Sequence, residues 1–248
     1  MKRKTQSGPD PDFPYLGVDM RFSFPPPRQS PGNIVAVGGN LSPGMLLSAY
    51  EQGIFPWYNR EDPLLWQSPD PRFIIFPEKL HVSSSMKKVF RKNEFDFALD
   101  KNFEGVIRSC AEALRPGQGG TWITKDIIDA YTELHRLGFA HSAESYFEGC
   151  LAGGCYGIRL GGIFFGESMF AKKSNASKAA FLHLARFLFD DGVMFIDCQV
   201  HTDHLESLGG EVMAREDFLD LLHRTLGNRP PQGVARDKDD RRGNWSIL

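Results

Sequence analysis

The sequence has few cysteines and no long apolar segment. Its 248 residues include four cysteines, with neither a CxxC pair nor a disulfide-dense spacing. This argues against a disulfide-stabilised secreted domain, and we expect reduced, mostly buried thiols. No run approaches the roughly 20 apolar residues that cross a bilayer, and the basic N-terminus lacks the apolar stretch of a secretory signal. We therefore expect a cytoplasmic protein that is not associated with a membrane.

The chain also carries little net charge. Its 29 Lys and Arg residues nearly balance 31 Asp and Glu residues, and the formal net charge is -2. This excludes a uniformly basic surface, but a local basic patch is compatible with it. With 41% hydrophobic and 24% charged residues, the composition is typical of a globular protein with a sizeable core.

Proline is concentrated near the N-terminus. Seven of the 16 prolines lie in residues 1–32, where hydrophobic periodicity is weak, and this predicts an extended or partly disordered arm. The polar, charged segment 228–248 predicts a loosely ordered tail.

Between the arm and the tail, the hydrophobic pattern predicts a mixture of helices and strands. Helices are predicted at 42–53, 83–92, 103–114, 125–138, 176–192 and 215–227. Strands are predicted at 72–76 and 95–100, in three segments between 141 and 170, and at 194–199. This order predicts an α+β fold with helices packed on a mostly antiparallel sheet. The N-acetyltransferases have a similar order of elements, an analogy that concerns the fold and not the function.

One predicted strand, GIFFGESMF (162–170), contains a single carboxylate, Glu167. Strict alternation would place Phe165, Glu167 and Met169 on one face of the sheet. A carboxylate among large apolar groups has to be hydrogen-bonded or paired, or its pKa rises. Two interpretations stay open, a structural carboxylate satisfied by backbone donors and a residue of a functional site.

The segment FIDCQVHTDH (195–204) places polar side chains at the end of a predicted buried strand. Asp197, Gln199 and His201 occupy alternate positions there, where open sheets often bind ligands. An acid and an amide at this spacing are able to orient an amine or a carbonyl oxygen. Three alternatives are a Cys198 nucleophile with His201 as its base, a metal site formed by Asp197, His201 and His204, and His204 simply as a residue at the start of a helix.

Tryptophans beside Gly- and Pro-containing turns form a further group of candidates. Trp57 and Tyr58 follow a predicted helix stop, and Trp122 precedes another helix. Such aromatics are often core anchors, but they also suit stacking on the bases of a single-stranded RNA end.

A basic cluster lies on the predicted helix 83–92. Lys87, Lys88, Arg91 and Lys92 form either a solvated face or a surface that contacts phosphates.

Eight strings in this chain, all in the same order, resemble the leucyl/phenylalanyl-tRNA–protein transferase family. They span roughly residues 33 to 225, nearly all of the predicted folded part. The strings are GIFPWY (53–58), SPDPR (68–72), GTWIT (120–124), AYTELHRLGFAHSAE (130–144), FFGESMF (164–170), NASKAA (175–180), IDCQ (196–199) and SLGG (207–210).

The resemblance implies both a fold and an activity. It implies a small N-terminal α+β domain, residues 33–80, on a C-terminal domain of the N-acetyltransferase-like (GNAT-type) fold, residues 81–227. It implies transfer of Leu or Phe, sometimes Met, from aminoacyl-tRNA to acceptor proteins that begin with Arg or Lys, which marks them for N-end rule degradation in bacteria. No metal and no small cofactor are implied. The oligomeric state is open, and we expect a monomer.

The resemblance also implies roles for individual residues. Asp197 and Gln199 would be the catalytic pair, and Glu167 would lie deep in the site and help to hold Gln199. The implied binding residues are Trp57, Trp122 and Tyr131 for the aminoacyl-adenosine end of the tRNA, Cys155, Phe164, Met169 and Ile196 for the Leu or Phe side chain, and Lys87, Lys88 and Arg91 for the acceptor-stem phosphates.

The implied reaction needs little activation, because an aminoacyl ester is already reactive. The acceptor's α-amine has an ordinary pKa of about 7.7–8.0, so part of it is neutral at pH 7. Asp197 would take up the amine proton, directly or through Gln199, and Gln199 would also donate toward the developing oxyanion. For the acceptor's cationic side chain, Glu144 and Glu148 are candidates no better than others.

Two positions depart from the family pattern. Gln67 stands where a second Trp is common, and Cys155 stands where Met is common in the strand. Both departures concern the preferred side chain more than the reaction.

Two other functions compete with this interpretation. The first is an acyl-CoA N-acyltransferase, which normally grips pyrophosphate with a Gly-rich turn before a helix. Here the corresponding link, AKKSNASK (171–178), contains no glycine. The second is an RNA-binding module without catalysis, which would need the basic helix and the tryptophans but no buried acid and amide.

Overall fold

The computed structural model describes residues 7–113 and 121–227. In these ranges the helices are α1 (Pro43–Glu51), α2 (Ser84–Arg91), α3 (Phe103–Glu112), α4 (Lys125–Arg136), α5 (Ala176–Asp190), α6 (Asp203–Glu206) and α7 (Arg215–Gly227). The strands are β1 (Ile34–Val37), β2 (Phe55–Pro56), β3 (Leu65–Gln67), β4 (Arg72–Ile75), β5 (Asp96–Leu99), β6 (Ala140–Phe147), β7 (Cys150–Leu160), β8 (Ile163–Ala171), β9 (Phe195–Gln199) and β10 (Glu211–Met213). The predicted helices and strands are confirmed within a few residues at their ends. Leu114, the predicted end of one helix, and the predicted tail 228–248 lie outside the described residues.

Local capping explains where several helices begin. Ser83, Asn102 and Thr124 each accept a hydrogen bond from a backbone N–H three residues ahead. Ser42 precedes α1 as expected, but its hydroxyl does not cap the helix. It accepts a hydrogen bond from the backbone N–H of Leu16 at 3.1 Å and so ties the N-terminal arm to α1.

The strands form a three-stranded sheet, β1-β3-β2, and a seven-stranded sheet in the order β10-β4-β9-β8-β7-β6-β5. In the larger sheet every pairing is antiparallel except that of β8 with β9. Helices α3, α4, α5 and α7 pack against this sheet. The predicted α+β layout with a mostly antiparallel sheet is therefore confirmed.

Residues 33–80 are continuous with the larger sheet. Strand β4 lies in this range and pairs with β9 and β10. One hydrophobic core joins Leu46 and Trp66, from the region of the smaller sheet, with Ile158 and Phe195 of the larger sheet. The two regions are thus packed around a shared core.

Residues 7–32 are mostly extended, as predicted, but they are fixed to the fold. The backbone N–H of Asp10 donates to the carbonyl of Gly39, and Gly8 forms a bridge with Pro63. Phe24 is buried in the main core. Aromatic side chains of this part of the arm supply apolar surface that packs against the fold. In the described part of the chain, no helix is long and apolar enough to span a membrane.

Candidate active site

A cavity of about 660 Å³ opens beside the parallel pair β8 and β9. Its wall is mostly apolar, with a small number of polar groups directed inward, as is typical of ligand sites. Aromatic side chains from the β2 region and the segment before α4 line part of it. The residues that line it include Trp57, Trp122, Cys155, Phe164, Glu167, Met169, Ser177, Phe181, Gln199 and His204.

Glu167 is the hub of a hydrogen-bond network in this cavity. Its Oε1 accepts from the hydroxyl of Tyr50 at 2.6 Å and from the side-chain amide of Gln199 at 2.8 Å. Its Oε2 accepts from the hydroxyl of Tyr131 at 3.3 Å, and the hydroxyls of Tyr50 and Tyr131 are hydrogen-bonded to each other. The contact predicted between Glu167 and Gln199 is therefore present.

A β-bulge at Glu167 interrupts the alternation of side chains along β8. Gly157 pairs with Gly166 and Tyr156 pairs with Ser168, so that Glu167 is an extra residue in β8. As a result Phe165 packs in the main core, whereas Met169 packs against a second apolar cluster. The prediction that Phe165, Glu167 and Met169 all lie on one face is therefore wrong, because the bulge puts Phe165 and Met169 on opposite faces of the sheet.

The surroundings of Glu167 perturb its ionisation. Burial raises its pKa to about 7, and the nearby charge of Asp197 acts in the same direction. Hydrogen bonds from Tyr50, Gln199 and Tyr131 oppose this rise. Burial also raises the pKa of both tyrosines, so that their hydroxyls remain donors. Glu167 is thus able to change its charge near neutral pH.

Asp197 is not exposed to the cavity. Its carboxylate accepts hydrogen bonds from Nε and Nη2 of Arg72, the shortest at 2.7 Å, and both side chains are completely buried. Its Oδ1 also accepts the backbone N–H of Gln199 at 2.9 Å. This corrects the expectation that Asp197 takes a proton directly from a substrate, because its oxygens face protein donors.

Gln199 connects the buried ion pair to the cavity. Its backbone has a φ of 66°, in the left-handed region that residues other than glycine rarely adopt. Such a conformation persists where the surrounding structure holds it, and here the hydrogen bond to Asp197 does so. The side chain then reaches into the cavity and donates to Glu167.

The cavity brings together many of the residues predicted to bind the donor. Trp57 and Trp122 line it, together with three predicted pocket residues, Cys155, Phe164 and Met169. Tyr131 and Ile196 do not line it and are fully buried. Tyr131 donates a hydrogen bond to Glu167, which lines the cavity, and Ile196 packs with Phe164 in the second apolar cluster. The expectation that these two contact the substrate is corrected accordingly.

The two departures from the family pattern have clear structural positions. The side-chain amide of Gln67 donates to the backbone carbonyl of Trp57 at 2.5 Å and so fixes the backbone directly after β2. Cys155 is buried and forms part of the apolar wall. Burial raises the pKa of its thiol, so that it serves as a small apolar group.

The competing chemistries of β9 do not fit the geometry. Burial raises the pKa of the Cys198 thiol well above its usual value, which makes it a poor nucleophile. His201 lies 3.0 Å from Glu206. A metal site that includes Asp197 is also wrong, since Arg72 occupies its carboxylate. His201, Asp203 and Glu206 are close together on the exposed surface.

The candidates for the acceptor's cationic partner lie elsewhere. Glu144 is completely buried, and it accepts from the hydroxyl of Ser142 at 2.6 Å and more weakly from backbone N–H groups at the start of α3. Burial raises its pKa to about 7. Glu148 is exposed in the turn between β6 and β7. Neither residue lines the cavity.

The predicted basic face is on the surface of α2. Lys87, Lys88 and Arg91 are exposed, whereas Met86 and Phe90 pack inward against the second apolar cluster. Helix α2 packs against α5, which forms one wall of the cavity.

Three important residues had no role in the sequence-based hypothesis, namely Arg72, Tyr50 and Phe181. The only available signal for Arg72 was a single cation before the apolar residues FIIF, which implies a buried partner. Tyr50 had no distinguishing signal, because a tyrosine in an apolar helix is usually a core residue.

A buried acid and amide at the wall of an apolar cavity, on an α+β scaffold, are features of an enzyme. Comparison with known proteins defines the class further. The model of the leucyl/phenylalanyl-tRNA protein transferase family matches residues 74–223, and the model of the family's N-terminal domain matches residues 39–70.

Individual proteins with similar sequences carry the same family name. The chain is 49% identical over 226 residues to leucyl/phenylalanyl-tRNA–protein transferase of Anaeromyxobacter sp. (strain Fw109-5), covering 91% of this chain and 92% of that protein. It is 50% identical over 226 residues to that of Maridesulfovibrio salexigens, covering 91% and 90%. Among solved structures, a GCN5-related N-acetyltransferase from Kribbella flavida has a TM-score of 0.40 at 11% identity, covering 70% of this chain and 62% of that one.

The protein is therefore an enzyme of the transferase class. Since the main family model matches more than half of the chain and relatives at about 50% identity cover nearly all of it, it belongs to the leucyl/phenylalanyl-tRNA–protein transferase family.

Proposed function

We propose that this chain transfers Leu or Phe, and also Met, from aminoacyl-tRNA to acceptor proteins that begin with Arg or Lys. The transfer takes place in the cytoplasm and marks the acceptor for N-end rule degradation. The observation that carries the proposal is the pair formed by Gln199 and Glu167 on the wall of an apolar cavity. No metal or small cofactor takes part in the proposed reaction.

The cavity wall suits the side chain of the donated amino acid. Cys155, Phe164, Met169 and Phe181 provide an apolar surface, and burial of a Leu or Phe side chain there contributes about 1.5–3 kcal/mol. Trp57 and Trp122 lie on the same cavity and provide rings on which the terminal adenine of the tRNA stacks.

Gln199 and Glu167 carry the chemistry in this proposal. The acceptor's α-nitrogen attacks the ester carbonyl, the new N–C bond forms, and the C–O bond to the ribose breaks. The side-chain oxygen of Gln199 orients the amine, and Glu167 takes up its proton, which finally reaches the ribose oxygen. Glu167 has the role first expected of Asp197, since it is the only carboxylate among the described residues that line the cavity. Positioning of this kind supplies up to about 7–11 kcal/mol.

Arg72, Asp197 and Tyr131 act as positioning residues. The buried ion pair of Arg72 and Asp197 holds the backbone of Gln199, and Tyr131, together with Tyr50, orients the carboxylate of Glu167.

One assay separates this proposal from its two alternatives. Phenylalanyl-tRNA labelled in the amino acid is incubated with a peptide that begins with Arg, and with a control peptide that begins with Gly. The proposal expects label in the Arg peptide only. Binding of tRNA without transfer would identify an RNA-binding module. Acetyl transfer from acetyl-CoA to either peptide would identify an acyl-CoA N-acyltransferase.

The transfer rate should depend on two protons below neutral pH. The pKa of Glu167 is raised to about 7 and that of the amine is about 7.7–8.0. Acid therefore protonates both groups, so that Glu167 no longer accepts a proton and the amine is no longer a nucleophile. We expect the logarithm of the single-turnover rate to rise with a slope near 2 below about pH 6.5. In Glu167→Gln the slope should fall to about 1, because only the amine still titrates. A slope of 1 in both proteins would contradict the role of Glu167.

The exposed cations of α2 should determine affinity for tRNA. We expect Lys87→Glu with Lys88→Glu to weaken binding of phenylalanyl-tRNA by about tenfold or more at 0.1 M salt and to reduce the slope of log Kd against log salt by about 2. A filter-binding titration at several salt concentrations measures both quantities. Lys79→Glu, an exposed lysine paired with Glu211, is the matched control and should change neither. Equal effects of the two changes would contradict a specific role for α2.

A further inference from the structure

The first turn of α5 lies at the cavity and has unused hydrogen-bond donors. The helix begins after Asn175, whose backbone is left-handed with a φ of 68° and whose side chain does not cap the helix. The N–H of Ala176 donates to the carbonyl of Lys173 and that of Ala179 to the carbonyl of Asn175. Within residues 7–113 and 121–227, the N–H groups of Ser177 and Lys178 have no backbone acceptor.

The hydroxyl of Ser177 is a second, independent sign of a ligand at this place. Ser177 is only 9% exposed and lines the cavity, yet its hydroxyl has no hydrogen-bond partner in the described structure. Nε2 of His204, which also lines the cavity, is buried and likewise has no partner there. A buried polar atom such as Nε2 of His204 is normally satisfied, and Ser177 lines the same cavity, so a ligand that forms hydrogen bonds fits beside the two residues.

The surroundings favour an anionic ligand. The helix N-terminus carries a partial positive charge and free N–H groups, which together bind phosphates. Lys178 lies at the same turn, and its Nζ is 3.3 Å from the hydroxyl of Ser207. The link before the helix adds Lys172 and Lys173, which lie over the rings of Phe170 and Phe147 respectively.

The link before α5 lies close to the end of α2. Helices α2 and α5 are in contact, and Nζ of Lys173 lies 3.7 Å from Glu94, just after α2. A polyanion bound along α2 would therefore lie close to Lys173, which precedes the first turn of α5.

The position of the helix start is firmly set by the sheet. A Cβ placed on Gly153 of β7 would lie 2.6 Å from Ala176 and 2.8 Å from the backbone nitrogen of Ser177. The hydroxyl of Ser145 on β6 donates to the carbonyl of Ala176 at 2.9 Å. The donors are thus held in place without a ligand, as an efficient binding site requires.

We propose that the first turn of α5, with Ser177 and Lys178, binds a phosphodiester of the single-stranded 3′ end of the charged tRNA. The proposal rests on the proposed function, since that function supplies the RNA. The phosphodiester accepts hydrogen bonds from the N–H groups and from the Ser177 hydroxyl, while the ester-linked amino acid lies deeper between Phe164 and Phe181. Binding there fixes the depth to which the 3′ end enters the cavity.

Ser177→Asp is the most discriminating variant. A negatively charged aspartate in the first turn interacts favourably with the helix dipole, so that α5 should stay folded. Its charge, however, repels a phosphate. Two donors are compared in the same transfer assay, namely phenylalanyl-tRNA and phenylalanyl-adenosine, which carries the same ester without a phosphodiester. We expect KM for phenylalanyl-tRNA to rise by about tenfold and the slope of log KM against log salt to change by about 1, with no change for phenylalanyl-adenosine. Lys178→Gln should change KM in the same sense by about threefold.

Ser23→Asp adds the same charge on the exposed arm and should affect neither donor. An unchanged KM for phenylalanyl-tRNA in Ser177→Asp, or an equal loss with both donors, would overturn the proposal. Thermal stabilisation of the wild type by acetyl-CoA that disappears in Ser177→Asp would assign the site to a CoA pyrophosphate instead. Failure of the proposed function is distinguishable, because the wild type would then transfer from neither donor.

Discussion

Replacement of Arg72 by methionine is expected to lower the free energy of unfolding by about 3–5 kcal/mol, because it leaves the buried carboxylate of Asp197 without its partner. The guanidinium makes three hydrogen bonds to Asp197 and one to the carbonyl of Gly53. It also lies 4.9 Å from the ring centre of Phe55 and 4.4 Å from that of Phe218. Methionine retains the apolar contacts but none of the hydrogen bonds.

Urea denaturation measures this effect, and two variants test its cause. Arg186→Met removes an exposed ion pair with Asp190 and should cost less than about 1 kcal/mol. Arg72→Met combined with Asp197→Asn removes both buried charges and should recover part of the stability lost in Arg72→Met. A loss below 1 kcal/mol in Arg72→Met would show that the ion pair does not stabilise the fold.

Replacement of Gln199 by alanine is expected to lower kcat for transfer by about 10²–10³-fold, the usual effect of removing a group that stabilises the reacting centre. Affinity for tRNA should stay within about twofold, because the proposed phosphate-binding surface of α2 is unaffected. The change removes the side-chain amide that donates a hydrogen bond to Glu167. It retains the backbone N–H of residue 199, which donates a hydrogen bond to Asp197. Single-turnover transfer and filter binding measure the two quantities separately. Gln29→Ala, on the exposed arm, is the control.

Asp197→Asn distinguishes positioning from direct proton uptake. Asparagine still offers an oxygen to the N–H of Gln199, so that part of the rate should remain, accompanied by a loss of stability. The charge of Asp197 raises the pKa of Glu167, and its removal should move the acidic limb of the rate profile to lower pH. Complete loss of transfer in a stably folded Asp197→Asn would instead make Asp197 the proton acceptor.

The local chemistry of the chain explains why the elements were predictable. The start of a helix depends on residues close to it in the sequence, as when the side chain of Thr124 caps α4. The alternating pattern of β5 is likewise local. Proline content, by contrast, describes the backbone of the arm and not the burial of Phe24 against a distant core.

The active site was predictable only in composition. The strings that resemble the family contain Glu167, Gln199 and Asp197, and the first two meet at the cavity as expected. Their functional roles remain predictions that the variants above test. The position of Asp197 behind the wall was not predictable, because it depends on the pairing of β4 with β9 across 125 residues of chain.

By itself, the sequence determined the order of helices and strands, the α+β class and the set of chemical groups available. Those properties follow from short-range spacing, capping and composition. Only the tertiary structure decided which groups line the cavity. A one-residue bulge at Glu167 puts Phe165 and Met169 on opposite faces of β8, and Asp197 lies buried in an ion pair with Arg72. Side-chain direction changes with each residue of register, and a buried charge needs a partner from another part of the chain.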